Sequence, residues 1–309
     1  MTSRTEQDEL FTAHRPLVFT IAYEIIGSRP DAEDVVQETY LRWAAVDAST
    51  VRDPRAYLAT AATRVALNAV RAAGRRREDY PGPWLPEPLV ADDDGPEHRL
   101  LLKEQLSYAL SVVLQQATPE QRAVFMLHDV FSLPYEVIAD AMGKTPAAVR
   151  QTAHRARVRI NAAHHVATTP QRSTQVLEAF LAALVTGDLR ALIDVLAPDA
   201  VLLSDGGGKV VAARKPIAGA EPIAAFLLRI ARTPVPQMRV DIGTLSGGPG
   251  VLIRAGTRLE LTLAVALDDQ GRISGVYLVR NPDKLTRPGP ARASGPPGES
   301  SRTTDARTA

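Results

Sequence analysis

Apolar residues recur at helical spacing along the first half of the chain, and the pattern is clearest between residues 133 and 160. Pro134 suits the first turn of a helix there and Gly143 suits its end, because proline lacks an N–H and glycine tolerates a left-handed backbone. Thr145 can then cap a second helix that begins at Pro146. The sequence therefore predicts two short helices joined by a tight turn, a helix-turn-helix.

The second of these helices has an apolar and a polar face. Its apolar stripe consists of Val149, Ala153, Ala156 and Ile160. The polar face carries Arg150, Gln151, His154 and Arg155. A short helix that packs on its neighbour and presents Arg, Gln and His outward has what reading the DNA major groove requires. An ordinary helical hairpin with a solvated basic face produces the same pattern, so the motif alone leaves both interpretations open.

Two more helices are predicted near the N-terminus. Residues 9–26 carry a broad apolar stripe, interrupted near Pro16 and ended by Gly27. Ser28 and Asp31 have the spacing of a capping box that opens the next helix. That helix exposes Asp34, Gln37, Glu38 and Arg42. Its acidic face is either solvated surface or a docking surface for a basic partner.

A third helix follows Arg52 and is strongly basic. No acidic residue occurs between Asp53 and Glu78, whereas Arg55, Arg64, Arg71, Arg75, Arg76 and Arg77 all fall in that interval. Charge of one sign is unfavourable unless a polyanion meets it, although such runs are often just solvated. Two separate basic helices in one chain favour a nucleic-acid partner.

Residues 78–96 interrupt the helical pattern. The stretch EDYPGPWLPEPLVADDDGP is rich in proline, glycine and acids, which is typical of a linker. A lone exposed indole is unfavourable, so Trp84 indicates that the linker docks on a surface. Helical spacing returns over residues 97–116, and Thr118 with Gln121 has the spacing of a second capping box.

The last third of the chain changes from helices to strands. Helices are predicted at 173–186 and 189–196, and a further one at 220–231. The predicted strands are residues 200–205, 209–217, 238–245, 250–256, 257–267 and 273–281. Helices followed by a curved, mostly antiparallel sheet predict an α+β cone.

Composition limits what these elements can do. The 309 residues allow two or three domains, and a net charge of +1 means that any affinity for nucleic acid must come from local patches. The lack of cysteine excludes disulfides and thiolate metal or redox chemistry, and no metal or cofactor is predicted. The N-terminus lacks the pattern of a signal peptide, and no apolar run approaches the roughly 20 residues that a membrane span needs. We therefore expect a cytoplasmic protein with no membrane partner.

Three segments in this order resemble an extracytoplasmic-function (ECF) sigma factor of the sigma-70 family. They are AEDVVQETYLRW, RDPRAYLATAATRVALNAVRAAGRR and TPEQRAVFMLHDVFSLPYEVIADAMGKTPAAVRQTAHRARVRI. The resemblance implies that the helix over residues 31–43 binds core RNA polymerase at the β′ clamp coiled coil. The polymerase set would be Asp31, Asp34, Gln37, Glu38 and Arg42.

The same resemblance implies two contacts with promoter DNA. The basic helix would engage and help to melt the minus-ten element through a minus-ten set of Arg55, Arg64, Asn68, Arg71, Arg75 and Arg76. The second helix of the helix-turn-helix would read the minus-thirty-five element through a minus-thirty-five set of Lys144, Thr145, Arg150, Gln151, His154, Arg155 and Arg157. Arginines can hold unstacked bases and contact phosphates, whereas contacts to base edges carry the sequence specificity.

The resemblance also suggests how the chain is divided. Sigma domain 2 would span residues 1–77, the linker 78–96, sigma domain 4 residues 97–165 and the cone domain 170–285, followed by a disordered tail at 286–309. The cone domain resembles the SnoaL-like members of the NTF2-like superfamily, and the whole chain resembles sigma factors that carry such a domain.

Three short motifs of that subfamily, WLPEP, DGGGK and NPDKL, occur in the linker and the cone domain. They imply an interdomain contact through which the cone domain tunes polymerase and promoter binding in cis. This interdomain set is Trp84, Leu85, Pro86, Asp205, Gly206, Gly207, Gly208, Lys209, Asn281, Pro282, Asp283 and Lys284. From its residues alone, DGGGK is expected to be a hairpin turn, because it lacks the spacing of a phosphate-binding loop.

Two other functions fit part of the pattern. A helix-turn-helix repressor or activator would use the same DNA-reading helix, but it needs neither the acidic helix nor the basic one upstream. A cyclase or isomerase with a DNA-binding tether is disfavoured because no histidine follows His165 and no carboxylate pair is recognisable from spacing. No enzymatic activity is therefore expected, although an apolar cone could hold a small-molecule ligand.

Overall fold

The computed structural model describes residues 4–78, 80–90, 106–162, 169–232 and 237–285, except for the side chains of residues 73–78, 161, 162 and 170. Three long helices begin the chain: α1 (Arg4–Ile26), α2 (Arg29–Ala44) and α3 (Pro54–Glu78). The Ser28 side chain caps α2 by accepting from the Asp31 N–H at 3.5 Å. α1 runs unbroken through Pro16, so the predicted interruption there does not end the helix.

A second helical group follows the linker. It contains α4 (Tyr108–Gln115), α5 (Pro119–Phe125), a π-turn (Met126–Val130), α6 (Tyr135–Met142) and α7 (Pro146–Ala162). The Thr118 hydroxyl accepts from the Gln121 N–H while the Gln121 side chain accepts from the Thr118 N–H, which is the predicted capping box. The predicted helix-turn-helix is present, with Gly143 ending α6 and Thr145 capping α7.

The predicted helix over 97–116 is wrong at residues 106 and 107, because α4 begins only at Tyr108. Ser107 instead caps α4 and forms an isolated β-bridge with Ser246 of the cone domain. Residues 97–105 lie outside the described part of the chain. The helical periodicity of a segment does not predict that residues at its start will pair with a segment of another domain instead.

The C-terminal region is an α+β unit, as predicted. Its elements are α8 (Pro170–Thr186), α9 (Leu189–Val195), β1 (Leu196–Asp205), β2 (Ile217–Ala218), α10 (Ala220–Ala231), β3 (Met238–Leu245), β4 (Gly248–Ala255), β5 (Arg258–Leu267), β6 (Ile273–Val279) and α11 (Pro282–Leu285). The strands lie in the order β2-β1-β6-β5-β4-β3. Among the described strands, only β1 and β6 are parallel neighbours. The predicted tail at 286–309 lies outside the described residues.

The predicted strand over 209–217 is wrong for all but its last residue. Only Ile217 and Ala218 pair with β1, and residues 206–216 form a loop. This loop is held by contacts with other segments, since the Val211 carbonyl accepts from the Arg280 guanidinium at 2.7 Å. The DGGGK motif is accordingly a turn within a long loop and not a tight hairpin. β1 also starts at Leu196, earlier than the predicted residue 200.

Buried apolar side chains form three clusters that differ in what they join. The first runs through both helical groups and includes Ile25, Leu58, Met126 and Ile138. The second lies between one face of the sheet and helices α8 to α10. The third joins the opposite face of the sheet to the linker and α4, through Leu85, Tyr108, Val112, Leu245 and Tyr277. Both faces of the sheet are therefore covered, one by its own helices and one by the N-terminal half of the chain.

Candidate nucleic-acid interface and interdomain contact

Helix α7 presents its polar residues to solvent. Val149, Ala153 and Ala156 are fully buried, while Arg150, Gln151, His154 and Arg155 of the minus-thirty-five set are exposed. Arg150 makes only loose contacts, with a Glu136 oxygen at 3.9 Å and with the ring of Tyr135. Because its apolar stripe is buried and its basic face is exposed, α7 can enter the major groove of DNA.

The outer members of the same set are paired within the molecule. The Lys144 ammonium donates to Glu120 at 2.5 Å. The Arg157 guanidinium donates to Asp129 at 2.7 Å and to the Tyr135 hydroxyl, and these hydrogen bonds raise the pKa of Arg157. Thr145 is used as the cap of α7. To contact phosphates, Lys144 and Arg157 would have to leave or share their acidic partners.

The polymerase set lies along one side of α2. Asp34, Gln37, Glu38 and Arg42 are exposed and Asp31 is half-buried, with Arg42 donating to Glu38 at 2.9 Å. Leu41 lies on the same helix and is 62% exposed. Because Leu41 is three and four residues beyond Glu38 and Gln37, it shares their side of the helix. An apolar residue among acids suits a docking surface, and the acidic pattern of the sequence did not single it out.

Two arginines of the minus-ten set hold the helical groups together. The Arg64 guanidinium donates to the carbonyls of Asp140 and Ala141, both at 2.8 Å, at the C-terminal end of α6. Arg55 donates to the Phe131 carbonyl at 3.1 Å and lies over the Phe131 ring. A cation is favourable at a helix C-terminus, where carbonyls lack partners. In this conformation the basic helix α3 therefore contacts the helix-turn-helix.

The remaining members of the minus-ten set are less constrained. Asn68 and Arg71 are exposed and form a hydrogen bond with each other at 3.1 Å. The side chains of Arg75 and Arg76 lie outside the described part of the chain. The structure therefore separates the set into arginines engaged by α6 or by the turn before it and residues that face solvent.

One buried carboxylate joins the three motifs of the interdomain set. Asp205 ends β1, and its Oδ1 accepts from the Tyr80 hydroxyl at 2.5 Å and from the Gly207 N–H at 3.0 Å. Its Oδ2 accepts from the Leu85 N–H at 3.0 Å and from the Lys284 ammonium at 2.7 Å. The linker, the glycine-rich turn and α11 thus meet at a single side chain.

The Lys284 side chain contacts this carboxylate and also lies close to two aromatic rings. Its ammonium lies 4.1 Å from the centre of the Trp84 ring and 5.0 Å from that of Tyr80, and it also donates to the Leu85 carbonyl. The Lys284 side chain is 12% exposed and that of Asp205 is fully buried. A cation between two aromatic faces is stabilised by their quadrupoles. Burial and the Asp205 hydrogen bond raise the pKa of Tyr80, so its hydroxyl remains a donor.

The rest of the interdomain set surrounds this centre. The Asn281 amide donates to the Tyr80 hydroxyl at 2.9 Å, and Lys209 pairs with Asp283 at the exposed rim. A Cβ atom added to Gly207 would lie 2.5 Å from Asn281, and one added to Gly208 would lie 2.7 Å from Pro81. Gly206 is similarly close to Val210 and Ala212. Gly207 and Gly208 let the backbone approach Asn281 and the linker more closely than a side chain would permit, and Gly206 allows a close turn within its own loop.

The linker is also fixed to the first helical group. The Glu87 N–H donates to the Gly27 carbonyl at 2.9 Å, and its Oε2 accepts from the Arg29 N–H at the start of α2. The Glu87 carbonyl accepts from the Tyr23 hydroxyl, and the Pro86 carbonyl accepts from that of Tyr108 at 2.7 Å. Burial raises the pKa of Glu87. Trp84 and Pro86 therefore belong to a stretch of the linker, residues 84–90, that is packed against other segments.

Sequence reasoning missed the second attachment of the linker. Val90 forms a β-bridge with Leu245, and the Leu89 and Leu106 carbonyls accept from the N–H groups of Ser246 and Gly247. Both ends of the segment 91–105 are thus held on the turn between β3 and β4. No local pattern in the sequence marks these pairings, because they join single residues of distant segments.

Glu24 is a second feature that the sequence did not reveal. It is fully buried on α1, where its Oε1 accepts from the Ser111 hydroxyl of α4 at 2.8 Å and its backbone carbonyl accepts from the Gln115 side chain. Burial raises the pKa of Glu24 to about 8, which the Ser111 hydrogen bond and the charge of Arg122 only partly oppose. A titratable group therefore lies at the contact between the two helical groups.

One candidate site for a ligand lies in the cone domain. A surface cleft of about 510 Å³ in the cone domain is lined by residues that include Asp194, Glu221 and Arg272. Within the described ranges, no three His, Cys, Asp or Glu side chains are grouped so that they could hold a metal ion. None of the described helices combines the length and apolar character that a membrane span requires.

Comparison with known proteins agrees with this organisation. Residues 10–76 match the model of Sigma-70 region 2, and residues 108–160 match that of Sigma-70, region 4. The chain is 33% identical over 290 residues to the ECF RNA polymerase sigma factor SigJ of Mycobacterium tuberculosis, covering 89% of this chain and 92% of that protein. It is 30% identical over 282 residues to the probable ECF RNA polymerase sigma factor SigI of the same species, covering 88% and 92%.

Similarity extends to the fold. The crystal structure of the M. tuberculosis extracytoplasmic function sigma factor SigJ superposes with a TM-score of 0.72 at 30% identity, covering 89% of this chain and 96% of that one. The match therefore includes the helical groups and the cone domain together. The chain belongs to the extracytoplasmic-function group of the sigma-70 family of RNA polymerase sigma factors.

Proposed function

We propose that the cone domain regulates this sigma factor in cis, by holding the linker and keeping the two helical domains packed on each other. A sigma factor binds core RNA polymerase and directs it to promoters, and this is the activity that the cone domain would control. The observation that carries the proposal is the network around Asp205, because it ties the linker to the end of β1 and to α11 of the cone domain.

The packing of the helical domains supports a closed state, in which the two helical domains contact each other. Their buried residues form one continuous apolar cluster, and Arg64 of α3 donates to the last carbonyls of α6. The nominal positions of the minus-ten and minus-thirty-five elements differ by about 25 base pairs, which corresponds to roughly 85 Å of duplex at about 3.4 Å per base pair. Helices that touch cannot occupy both elements, so promoter binding would require the domains to separate.

We assign the DNA and polymerase contacts as follows. The exposed residues of α7, with Arg150 in front, would read the minus-thirty-five element. Arg55 and Arg64 of α3 would become available for the minus-ten element once α6 and the turn before it move away, whereas Arg71 is already exposed. The acidic face of α2, including Leu41, would bind the β′ clamp coiled coil, whether or not the helical domains are separated, since it is exposed in the closed state.

We also propose that the cone domain is a binding domain and not an enzyme. A general base needs a carboxylate poised in an apolar pocket and free to take a proton. Asp205 already accepts four hydrogen bonds, and Asp241 is paired with Arg239 and Arg254. Both carboxylates are engaged by donors, and Asp205 accepts from Tyr80 and Leu85 of the linker, which supports a role in interdomain contact.

Substituting Lys284→Met tests the proposed regulation. The variant removes the charge that neutralises a fully buried Asp205 while retaining an apolar stem, and breaking such a pair costs about 3 kcal/mol or more. We expect release of the linker, a larger separation between fluorophores on α3 and α6, and more run-off transcription by purified core polymerase. Lys209→Met is the matched control, because its partner Asp283 lies at the exposed rim.

Two results would contradict this regulation. The first is an unchanged fluorophore separation together with unchanged transcription in the Lys284→Met variant. The second is a chain ended after Thr169 that binds polymerase and transcribes like the full chain. Because that truncation uncovers Leu85 and Tyr108 of the third cluster, we expect it to alter activity and lower solubility instead.

A further inference from the structure

Strand β3 leaves an apolar edge of the cone domain open to solvent. It is the last strand of the sheet, and Met238, Val240 and Ile242 are 52%, 41% and 37% exposed. Alternate residues of a strand share a face, so these three side chains lie side by side. Val240 and Ile242 are register partners of Ile253 and Val251, which pack under the helices of the domain. The apolar face of the sheet therefore extends beyond the cover that its helices provide.

The backbone of the same residues is directed outward. The Gly256 N–H donates to the Gln237 carbonyl, which makes Gln237 and Gly256 a hydrogen-bonded pair of the antiparallel ladder. Such pairs alternate, so Arg239 and Asp241 direct their N–H and C=O groups to β4. Met238, Val240 and Ile242 direct theirs away from β4. An added strand could bond to these three residues.

We propose that β3 pairs with β3 of a second copy of this chain, antiparallel, about a two-fold axis at Val240. In this register the Val240 backbones of the two copies exchange both hydrogen bonds, and Met238 lies opposite Ile242 of the partner subunit. On the other face, Arg239 lies opposite Asp241 of the partner subunit. Opposite charges in directly facing positions stabilise a pair of strands, and apolar pairs do the same. The segment Met238–Ile242 is complementary to itself on both faces.

The charges select this register over the others. A shift by two residues in either direction places Arg239 opposite its own copy or Asp241 opposite its own copy, which is unfavourable. A shift by one residue sets outward-directed groups against inward-directed ones and breaks the ladder. A parallel, in-register pairing also brings Arg239 beside its copy. The two-fold arrangement alone matches hydrogen bonds, apolar side chains and charge.

The opposite edge of the sheet does not offer such a template. β2 contains only Ile217 and Ala218, and short edge strands are a usual protection against pairing. Met238–Ile242 has neither a proline nor a lysine that would protect it. Five residues from each copy bury far less than the roughly 1,600 Å² of a standard interface, so we expect a weak dimer that forms as concentration rises.

Sedimentation equilibrium of the full chain over a range of concentrations tests this pairing. We expect the wild type to approach a dimer and Arg239→Asp to remain a monomer, because two carboxylates would then face each other across the pair of strands. The double variant R239D/D241R restores complementarity and should dimerise again, but it should not mix with wild type. Arg52→Asp, with the same charge change on the exposed loop before α3, should leave the association unchanged. Val240→Lys should abolish it.

Several outcomes would overturn the proposal. If the wild type is monomeric at every concentration, a second copy does not occupy the edge of β3. The same conclusion holds if β3 of the monomer pairs with a strand of another protein. A dimer that persists in both Arg239→Asp and Val240→Lys uses another surface. If the double variant does not restore association, the charges of Arg239 and Asp241 do not set the register of the pairing. Circular dichroism and melting curves of each variant establish that the cone domain is folded when these results are obtained.

Discussion

Asp205 accepts hydrogen bonds from residues 120 and 125 positions earlier in the chain, and its carboxylate is fully buried. Burying a charge is unfavourable unless every lone pair finds a donor, and here Tyr80, Leu85, Gly207 and Lys284 supply four. The contact therefore depends on each partner being in place. At the scale of single residues, the tightest of these constraints falls on the glycine-rich turn.

Gly207→Ala should weaken the interdomain contact more than Gly187→Ala. Both glycines have positive φ angles, +61° and +72°, so alanine is strained by about 1–2 kcal/mol at either position. The new Cβ at residue 207 would also lie 2.5 Å from Asn281, whereas residue 187 faces open space. Displacing Asn281 adds about 1–3 kcal/mol. Urea denaturation of the two variants measures the difference, and equal losses would show that Asn281 yields at no cost.

At the scale of elements, α7 combines a fixed and a free part. Its buried stripe and its threonine cap hold the axis of the helix, while Arg150 keeps an ion pair at 3.9 Å and a contact with the Tyr135 ring. Exposed pairs at such distances contribute less than about 1 kcal/mol, so the side chain can exchange Glu136 for a base at little cost. Arg159 is also exposed but lies in the last turns of the helix.

Arg150→Ala should relax promoter preference, whereas Arg159→Ala should weaken all promoters alike. A side chain near the N-terminal half of a recognition helix reaches base edges, and losing a bidentate contact costs about 1–3 kcal/mol at one base pair. A phosphate contact carries no sequence information, and its loss lowers the salt dependence of binding by about one charge. Binding to a promoter library at two salt concentrations distinguishes them. Equal effects of both changes would defeat this division of roles.

At the scale of the whole molecule, the contact between the helical domains carries its own titratable group. Glu24 lies on α1 against α4, and the groups that interact with it include Ser111, Arg122 and Tyr23. Its pKa is raised from 4.5 to about 8, so the closed state keeps a proton that the open or unfolded state releases at neutral pH. Stability of the closed state is therefore present below pH 4.5 and lost as pH rises toward 8.

Glu24→Gln should remove part of this pH dependence. The amide stays neutral, and its oxygen can still accept from Ser111. For the wild type, each pH unit between 4.5 and about 8 costs the closed state up to about 1.4 kcal/mol from this one group. We expect the variant to lose less free energy of unfolding than wild type between about pH 6 and about pH 9.

Glu9→Gln, an exposed change on the same helix, is the control. It should follow the wild-type curve. If Glu24→Gln also follows that curve, Glu24 is ionised in the closed state and does not couple protonation to packing. Other buried groups, such as Glu87, titrate in all three proteins and cancel in the comparison.

Much of the fold could be predicted because its signals are local. The capping box at Thr118, the cap at Thr145 and the stop at Gly143 each act within a few residues, and the apolar stripe of α7 repeats every turn. The expectation of a sigma factor came from the resemblance of three sequence segments, in their order and spacing, to that family. The predicted strand over 209–217 failed for the converse reason, since alternation cannot show whether a partner strand is within reach.

The closed arrangement is a property of the folded molecule alone. In the sequence, Arg64 is one basic residue among several, and only the fold shows that it donates to two carbonyls of α6. In the same way, only the fold shows that Glu24 is buried against α4. The self-complementary charges of β3 become meaningful only when Val240 is known to lie on an edge. Helix formation and capping depend on neighbours in the chain, so residue order decides them. Burial, pKa and the pairing of distant donors with acceptors depend on neighbours in space, and only packing supplies those.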